Sequence, residues 1–172
     1  MRETVILLWI TIAVAVVFDF TNGFHDTANA IATSISTRAL SPRAAVGLAA
    51  VFNLIGAVVT VAFFQAKVSN TIASTLAIKP GLVVVVSALL GAIAWNLVTW
   101  YRGLPSSSTH ALIGGLCGAG VAAAGGIGGV QWSALLKQIA SLVISPPLGF
   151  VAAATFAIAL IVVVWVTEIG VV

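Results

Sequence analysis

The chain consists mainly of long apolar segments separated by short stretches that are polar or rich in glycine and proline. Four of the segments are long enough to cross a hydrocarbon core, which takes about 20 residues of helix. They cover residues 4–37, 41–65, 80–101 and 147–167. Since an open sheet would leave backbone groups unpaired in lipid, each segment is predicted to be a helix. The fold class is therefore all-α: a polytopic membrane protein with about four transmembrane helices.

The first segment is too long for one straight span. At 1.5 Å per residue it would extend about 50 Å, against a hydrocarbon core of about 30 Å. The helix is therefore expected to tilt, to break near Asn22 and Gly23, or to continue beyond the membrane.

The region between the third and fourth segments is apolar but short and interrupted by glycine. It begins GLPSSSTHALIGG and continues GAGVAAAGGIGG. Non-helical backbone at membrane depth is tolerated only where it faces protein or a water-filled cavity. We therefore predict a re-entrant helical hairpin at 103–129, followed by an interfacial helix at 130–144. Residues 1–172 are expected to form a single transmembrane domain.

Composition supports a membrane location and excludes two other classes of protein. Hydrophobic residues make up 61% of the chain and charged residues only 6%, against about 25% charged in soluble domains. The net charge is +3, but the seven basic residues are scattered singly, so no nucleic-acid surface is predicted. The single cysteine, Cys117, cannot form a disulfide or a cysteine-based metal site within one chain.

A polar stripe lies inside the first apolar segment. Its members are three or four residues apart, which puts side chains on one face of a helix; they are Asp19, Asn22, Asp26, Asn29 and Thr33. A carboxylate near the bilayer centre costs about 2.5–3.5 kcal/mol, so the two aspartates need compensation. Carboxylate and amide oxygens are hard ligands, so the stripe predicts a path or site for cations. The structural alternative is that Asp26 pairs with His25 or Arg102 and that the asparagines cap a kinked helix.

A run of hydroxyl side chains follows Pro105 and is followed in turn by small residues. Its members are Ser106, Ser107, Ser108 and Thr109, with His110 next in the chain. Proline in the first turn and serine or threonine at the cap are typical of a helix N-terminus. The free N–H groups and the helix dipole there favour an anion, and the hydroxyls add donors that suit a tetrahedral oxyanion. The alternative is ordinary helix capping.

Other polar and small residues in the apolar segments are expected to serve packing. Asn53 and Asn96, near the middles of the second and third segments, are predicted to form interhelical hydrogen bonds. Gly47, Gly56 and Gly91 are predicted to allow close approach of helices.

The two motifs NGFHDTANAIATSISTRALSP and GLPSSSTHALIGG strongly resemble the PiT family of inorganic phosphate transporters. Residues 23–30 match a GxNDxxNA-type motif, with His25 where the family frequently has asparagine, a pattern similar to the bacterial low-affinity branch. Residues 105–110 correspond to the family's hairpin motif. Asn53 stands where eukaryotic members carry a glutamate, which puts a shared coupling role of that position in doubt.

The resemblance implies a secondary transporter of inorganic phosphate in a bacterial inner membrane, driven by a coupling cation. The cation is Na⁺ in some members, whereas bacterial members use H⁺ or carry neutral metal phosphate. The resemblance also implies inverted repeats in which two discontinuous hairpins meet around the anion. This chain contains one copy of each motif, so it resembles the N-terminal half, to be completed by a second repeat or by a homo-oligomeric partner.

The candidate site residues fall into three groups by expected role, and no resident cofactor is expected. Substrate binding is assigned to Ser106, Ser107, Ser108, Thr109 and Asp26. The coupling ion, H⁺ or Na⁺, is assigned to Asp26, Asn22 and Asn29, with Asp19 as a supporting or access-path carboxylate; a Na⁺ would be held by Asn22, Asp26 and Asn29. His25 and His110 are expected to tune the site.

Three alternatives remain open from the sequence. The first is sulfate transport, since some relatives are similar to sulfate permeases; phosphate can donate a hydrogen bond to Asp26, whereas sulfate cannot. The second is an intramembrane hydrolase with a triad of Ser107, His110 and Asp26, although no G-x-S-x-G elbow supports it. The third is an accessory membrane subunit, in which Asp26→Asn would be tolerated.

Overall fold

The computed structural model describes residues 2–64 and 67–169, and this part of the chain is built from six α-helices. They are α1 (Arg2–Ser36), α2 (Pro42–Val59), α3 (Lys67–Ala73), α4 (Leu82–Tyr101), α5 (Ser108–Ala124) and α6 (Trp132–Ile169). A π-helical turn (Thr60–Phe64) follows α2 and a 3₁₀ turn (Ile127–Gly129) follows α5. Within the described residues the only β pairing is an isolated bridge, so the all-α prediction is confirmed.

The four predicted spans are confirmed as helices long and apolar enough to cross a membrane. They are Arg2–Ser36, Pro42–Phe63, Leu82–Tyr101 and Trp132–Thr167. The predicted end of the second span, Gln65, lies outside the described residues.

Helix α1 is continuous for 35 residues, or about 52 Å. The predicted break at Asn22 and Gly23 is therefore wrong, and α1 must tilt or project beyond the hydrocarbon core. The helix is followed by a reversal in which Arg38 adopts a φ of 58°. Ser41 then caps α2, because its hydroxyl accepts a hydrogen bond from the N–H of Ala44 at 3.3 Å.

The chain divides into two compact units, Met1–Gln131 and Trp132–Val172. The second unit contains α6, which runs unbroken for 38 residues with Pro146 and Pro147 inside it. The predicted division into an interfacial helix and a span that begins at Pro147 is wrong. Proline removes one N–H donor per residue, but membrane helices tolerate this loss, and the sequence on both sides stays apolar.

In the first unit, α4 is the central helix, since α1 and α5 each pack mainly against it. A Cβ on Gly115 of α5 would collide with the carbonyl of Ala88, so this glycine permits the close approach. Gly91 is close to Gly115 as predicted, at ordinary contact distance. Gly47 and Gly56 each face open space in the described part of the chain, so their role in close approach of helices stays a prediction.

A short backbone contact fixes the far end of α5. The N–H of Ala77 donates to the carbonyl of Gly129 at 3.0 Å, and the N–H of Gln131 donates to the carbonyl of Thr75 at 2.8 Å. The segment before α4 is thereby tied to the segment after α5, which holds α5 beside α4 along its length.

Candidate functional site

The segment between α4 and α5 forms a sharp turn that leads into the hydroxyl run. Gly103 has a φ of 63°, a conformation that favours glycine, and the N–H of Leu104 donates to the carbonyl of Thr99 at 2.9 Å. Ser107 is extended and is the N-cap of α5: its hydroxyl accepts from the N–H of His110 at 3.4 Å. The predicted helix N-terminus after Pro105 is confirmed.

Helix α5 has 17 residues and is about 26 Å long, which is less than the hydrocarbon thickness. This length is compatible with the re-entrant hairpin at 103–129, which stays a prediction. Its first two N–H groups, those of Ser108 and Thr109, have no acceptor within the helix.

The contact that joins the two sequence motifs is a hydrogen bond between α5 and α1. The hydroxyl of Ser108, only 1% exposed, donates to Oδ1 of Asp26 at 3.3 Å, across 82 residues of sequence. A hydroxyl at a helix N-terminus is thus held against a carboxylate inside a membrane-spanning helix.

The Asp26 carboxylate faces two environments. It is 49% exposed and lines a cavity of about 690 Å³ between α1 and α2, which we name the α1–α2 cavity. Asp19, Asn22 and Asn53 line the same cavity. On its other side, Nδ1 of His25 lies 3.9 Å from Oδ1 of Asp26. His25 is buried and this nitrogen has no hydrogen-bond partner in the described structure.

Asn29 lies apart from the rest of the polar stripe. It lines a separate cavity of about 240 Å³ with His25, Trp100 and Pro105, at the entrance to α5. The structure therefore brings Asp19, Asn22 and Asp26 into one cavity and places Asn29 in another. A shared Na⁺ site of Asn22, Asp26 and Asn29 stays a prediction.

The remaining residues of the hydroxyl run point to different surroundings. Thr109 is exposed and Ser106 is half-buried. His110 lines a third cavity, of about 460 Å³, beside Trp95, and neither Ser107 nor Asp26 lines it. The hydroxyl of Ser107 contacts the backbone of His110, so the geometry of a Ser107–His110–Asp26 triad is not present.

Four residues have environments that the sequence did not indicate. The rings of Phe24 and Trp100 pack edge to face at 5.7 Å, which joins the α1 motif to the end of α4. Asn96 is fully buried, and neither amide atom has a partner in the described structure. Asn53 is exposed to the α1–α2 cavity. The prediction of interhelical hydrogen bonds is therefore wrong for Asn96, and Asn53 belongs to the cavity wall.

Comparison with known proteins identifies the family. The model of the phosphate transporter family matches residues 22–169, which include both motifs and their contact. The chain belongs to this family. Its four helices that are long and apolar enough to span, together with membership of the phosphate transporter family, identify this chain as a multi-pass integral membrane protein.

Individual relatives within the phosphate transporter family are substantially identical to the chain. A "probable low-affinity inorganic phosphate transporter" of Bacillus subtilis is 50% identical over 85% of this chain and 44% of its own length. Another of the same name from Streptomyces halstedii is 53% identical over 83% of this chain and 66% of its own length. The low-affinity inorganic phosphate transporter PitA of Escherichia coli is 42% identical over 87% of this chain and 32% of its own length.

The chain therefore spans less than two thirds of the length of these relatives. The family and these relatives are transporters rather than enzymes, which contradicts the hydrolase alternative. No solved structure matches the chain.

Proposed function

We propose that the chain forms part of a secondary transporter that moves inorganic phosphate across a membrane together with a coupling cation, H⁺ or Na⁺. The observation that carries the proposal is the hydrogen bond from Ser108 to Asp26. It places an anion-favouring helix end and a cation-favouring carboxylate side by side.

The anion is expected at the N-terminus of α5. The unpaired N–H groups of Ser108 and Thr109 and the positive end of the helix dipole attract a tetrahedral oxyanion. The exposed hydroxyl of Thr109 and the half-buried hydroxyl of Ser106 add donors. Ser107 supports this end indirectly, since its hydroxyl caps the helix.

The coupling cation is expected in the α1–α2 cavity. Asp19, Asn22, Asp26 and Asn53 line it, and their side chains carry oxygen, the ligand that hard cations prefer. A cation there neutralises Asp26, whose charge would otherwise repel a nearby phosphate in a medium of low dielectric constant. The names of the relatives favour phosphate as the anion over sulfate.

A second repeat, or a second copy of the chain, is expected to complete the site. In the first unit, none of the most apolar window of α2 is buried. The chain also covers only 44% of the length of the B. subtilis relative. Transporters of this kind place their substrate site between two repeats.

Transport in liposomes tests the proposal. The chain would be reconstituted together with the remaining part of a full-length relative. Uptake of radiolabelled phosphate would be measured under an inward Na⁺ gradient and, separately, an inward H⁺ gradient. We expect accumulation under one gradient, and excess unlabelled sulfate should leave it unchanged. Uptake under neither gradient would contradict the proposal, and strong competition by sulfate would favour a sulfate transporter.

A further inference from the structure

The Ser108 hydroxyl has a single hydrogen to donate, and in this structure that hydrogen is committed. A serine side chain offers one O–H donor and two acceptor lone pairs. The side chain of Ser108 is 1% exposed, and its O–H points to Oδ1 of Asp26 at 3.3 Å. In this conformation Ser108 therefore cannot donate to an anion at the end of α5.

The acceptor of this hydrogen bond is open to ions. Asp26 is half-exposed and lines the α1–α2 cavity, whereas Ser108 is enclosed. A cation that reaches Asp26 from the cavity competes with the Ser108 hydroxyl for the same carboxylate oxygens. The hydroxyl is then the weaker partner, because a full positive charge interacts more strongly with a carboxylate than a neutral donor does.

We propose that Ser108 couples the two ligands by exchanging hydrogen-bond partners. It donates to Asp26 while the carboxylate holds no cation, and it donates to the anion at the N-terminus of α5 once a cation occupies Asp26. This inference rests on the proposed function and adds an order of binding to it. The cation binds first, and the Ser108 hydroxyl then becomes available to the anion. Because binding free energies are linked, the anion then strengthens cation binding by the same factor.

The surrounding structure confines this exchange to a side chain. Helix α5 is held against α4 where Gly115 meets the carbonyl of Ala88, and its far end is fixed by the backbone contact at Gly129. The neighbouring hydroxyl of Ser107 is occupied in capping the helix. We therefore assign the exchange to a rotation of the Ser108 side chain between staggered χ1 positions, with α5 held in place.

Equilibrium binding tests the exchange. The purified chain, completed with the remaining part of a full-length relative, would be used. Binding of radiolabelled phosphate to it would be measured with and without a saturating concentration of the cation that drives uptake. The readout is the ratio of the two Kd values. We expect a ratio of about five or more in the wild type, the usual range for coupled sites. In Ser108→Ala we expect a ratio clearly lower than that of the wild type, because only the neutralisation of the Asp26 charge by the cation remains. In Ser108→Thr, which keeps the hydroxyl, we expect a ratio near that of the wild type.

Two further variants complete the design. Ser36→Ala is the matched control, because its hydroxyl bonds only to a carbonyl of its own helix, and it should keep the wild-type ratio. Asp26→Ala removes the acceptor of the Ser108 hydroxyl altogether, so phosphate should bind with the affinity of the cation-loaded wild type whether or not the cation is present. This variant tests the exchange without altering Ser108.

The outcomes separate this inference from the proposed function. A wild-type ratio in Ser108→Ala, or a requirement for the cation in Asp26→Ala, would overturn the exchange while leaving phosphate transport intact. A merely structural role of Ser108 would weaken phosphate binding equally in both conditions and leave the ratio unchanged, which would also overturn it. A wild-type protein that neither binds nor takes up phosphate would instead overturn the proposed function.

Discussion

At the scale of single residues, the proposed function makes the Asp26 carboxylate the point at which cation and anion binding meet. Asp26→Asn keeps an acceptor oxygen but removes the charge, so no cation is held and the driving gradient is no longer used. We expect accumulation of phosphate against its gradient to be abolished, while the variant still inserts into the membrane. The measurement is uptake in liposomes, with Ser36→Ala as the control.

Unchanged accumulation by Asp26→Asn would contradict this role. It would favour the accessory-subunit alternative, in which the polar stripe serves only to pack one helix against another.

Substitution of the hydroxyl run gives the second prediction for single residues. Replacement of Ser107, Ser108 and Thr109 by alanine removes the cap and the side-chain donors at the end of α5. The loss of one hydrogen bond to a charged ligand costs about 1.5–3 kcal/mol, or roughly 10- to 150-fold in affinity. We therefore expect phosphate uptake to be abolished in the triple variant.

Membrane insertion should stay intact in that variant, as measured by the amount of protein extracted from the membrane fraction. A twofold change in uptake corresponds to less free energy than the loss of one hydrogen bond. Uptake within about twofold of the wild type would therefore show that these hydroxyls do not hold the anion.

The sequence predicted which side chains share one face of α1, but not which helix packs against them. The spacing of Asp19, Asn22 and Asp26 identifies one face of a helix, and all three line one cavity. The spacing carries no information about which helix packs against that face, so the contact with Ser108 was not predictable. Successive residues point about 100° apart on a helix, so the role of each serine depends on where α5 begins.

At the scale of helices, the crossing of α4 and α5 is the contact most sensitive to side-chain size. A methyl group on Gly115 would collide with the carbonyl of Ala88, and backbone cannot yield as a flexible side chain does. Overpacking of this kind costs about 1–3 kcal/mol. Gly115→Ala should therefore lower the thermal unfolding temperature of the purified protein in detergent.

Gly118→Ala is the matched control, because Gly118 lies on the same helix and faces open space. We expect it to be neutral or slightly stabilising, since alanine favours a helix by about 1 kcal/mol over glycine. Equal unfolding temperatures for the two variants would show that α5 does not approach α4 as described.

Hydropathy predicted the number of spans but not the packing between them. Length and apolar character suffice to identify a spanning helix, because lipid imposes the same requirement everywhere. Close approach depends on which faces meet, so Gly47 and Gly56 could not be told apart from Gly115 by residue type. The continuity of α6 through Pro146 and Pro147 was missed because proline is a strong helix breaker in water and a weaker one in membranes.

At the scale of the whole molecule, the proposed function assigns to the described residues one side of a transport site. Thr109 at the end of α5 is exposed, and Asp26 is half-exposed. At membrane depth such polar groups must face protein or water, because lipid cannot satisfy them. The chain spans 44% of the B. subtilis relative, so more than half of the length of that relative is available to form the opposite side of the site.

We therefore predict that these 172 residues, expressed alone, do not transport phosphate as a monomer. The chain would be purified, cross-linked to verify its oligomeric state, and reconstituted in liposomes with a gradient of the coupling cation. Uptake should be absent until the remaining part of a full-length relative is co-reconstituted, because half-helix sites are completed by a second repeat. Uptake by cross-linked dimers alone would indicate that two identical copies can supply both walls. Robust cation-coupled uptake by verified monomers would show that one wall suffices, and the need for a second repeat would then have to be abandoned.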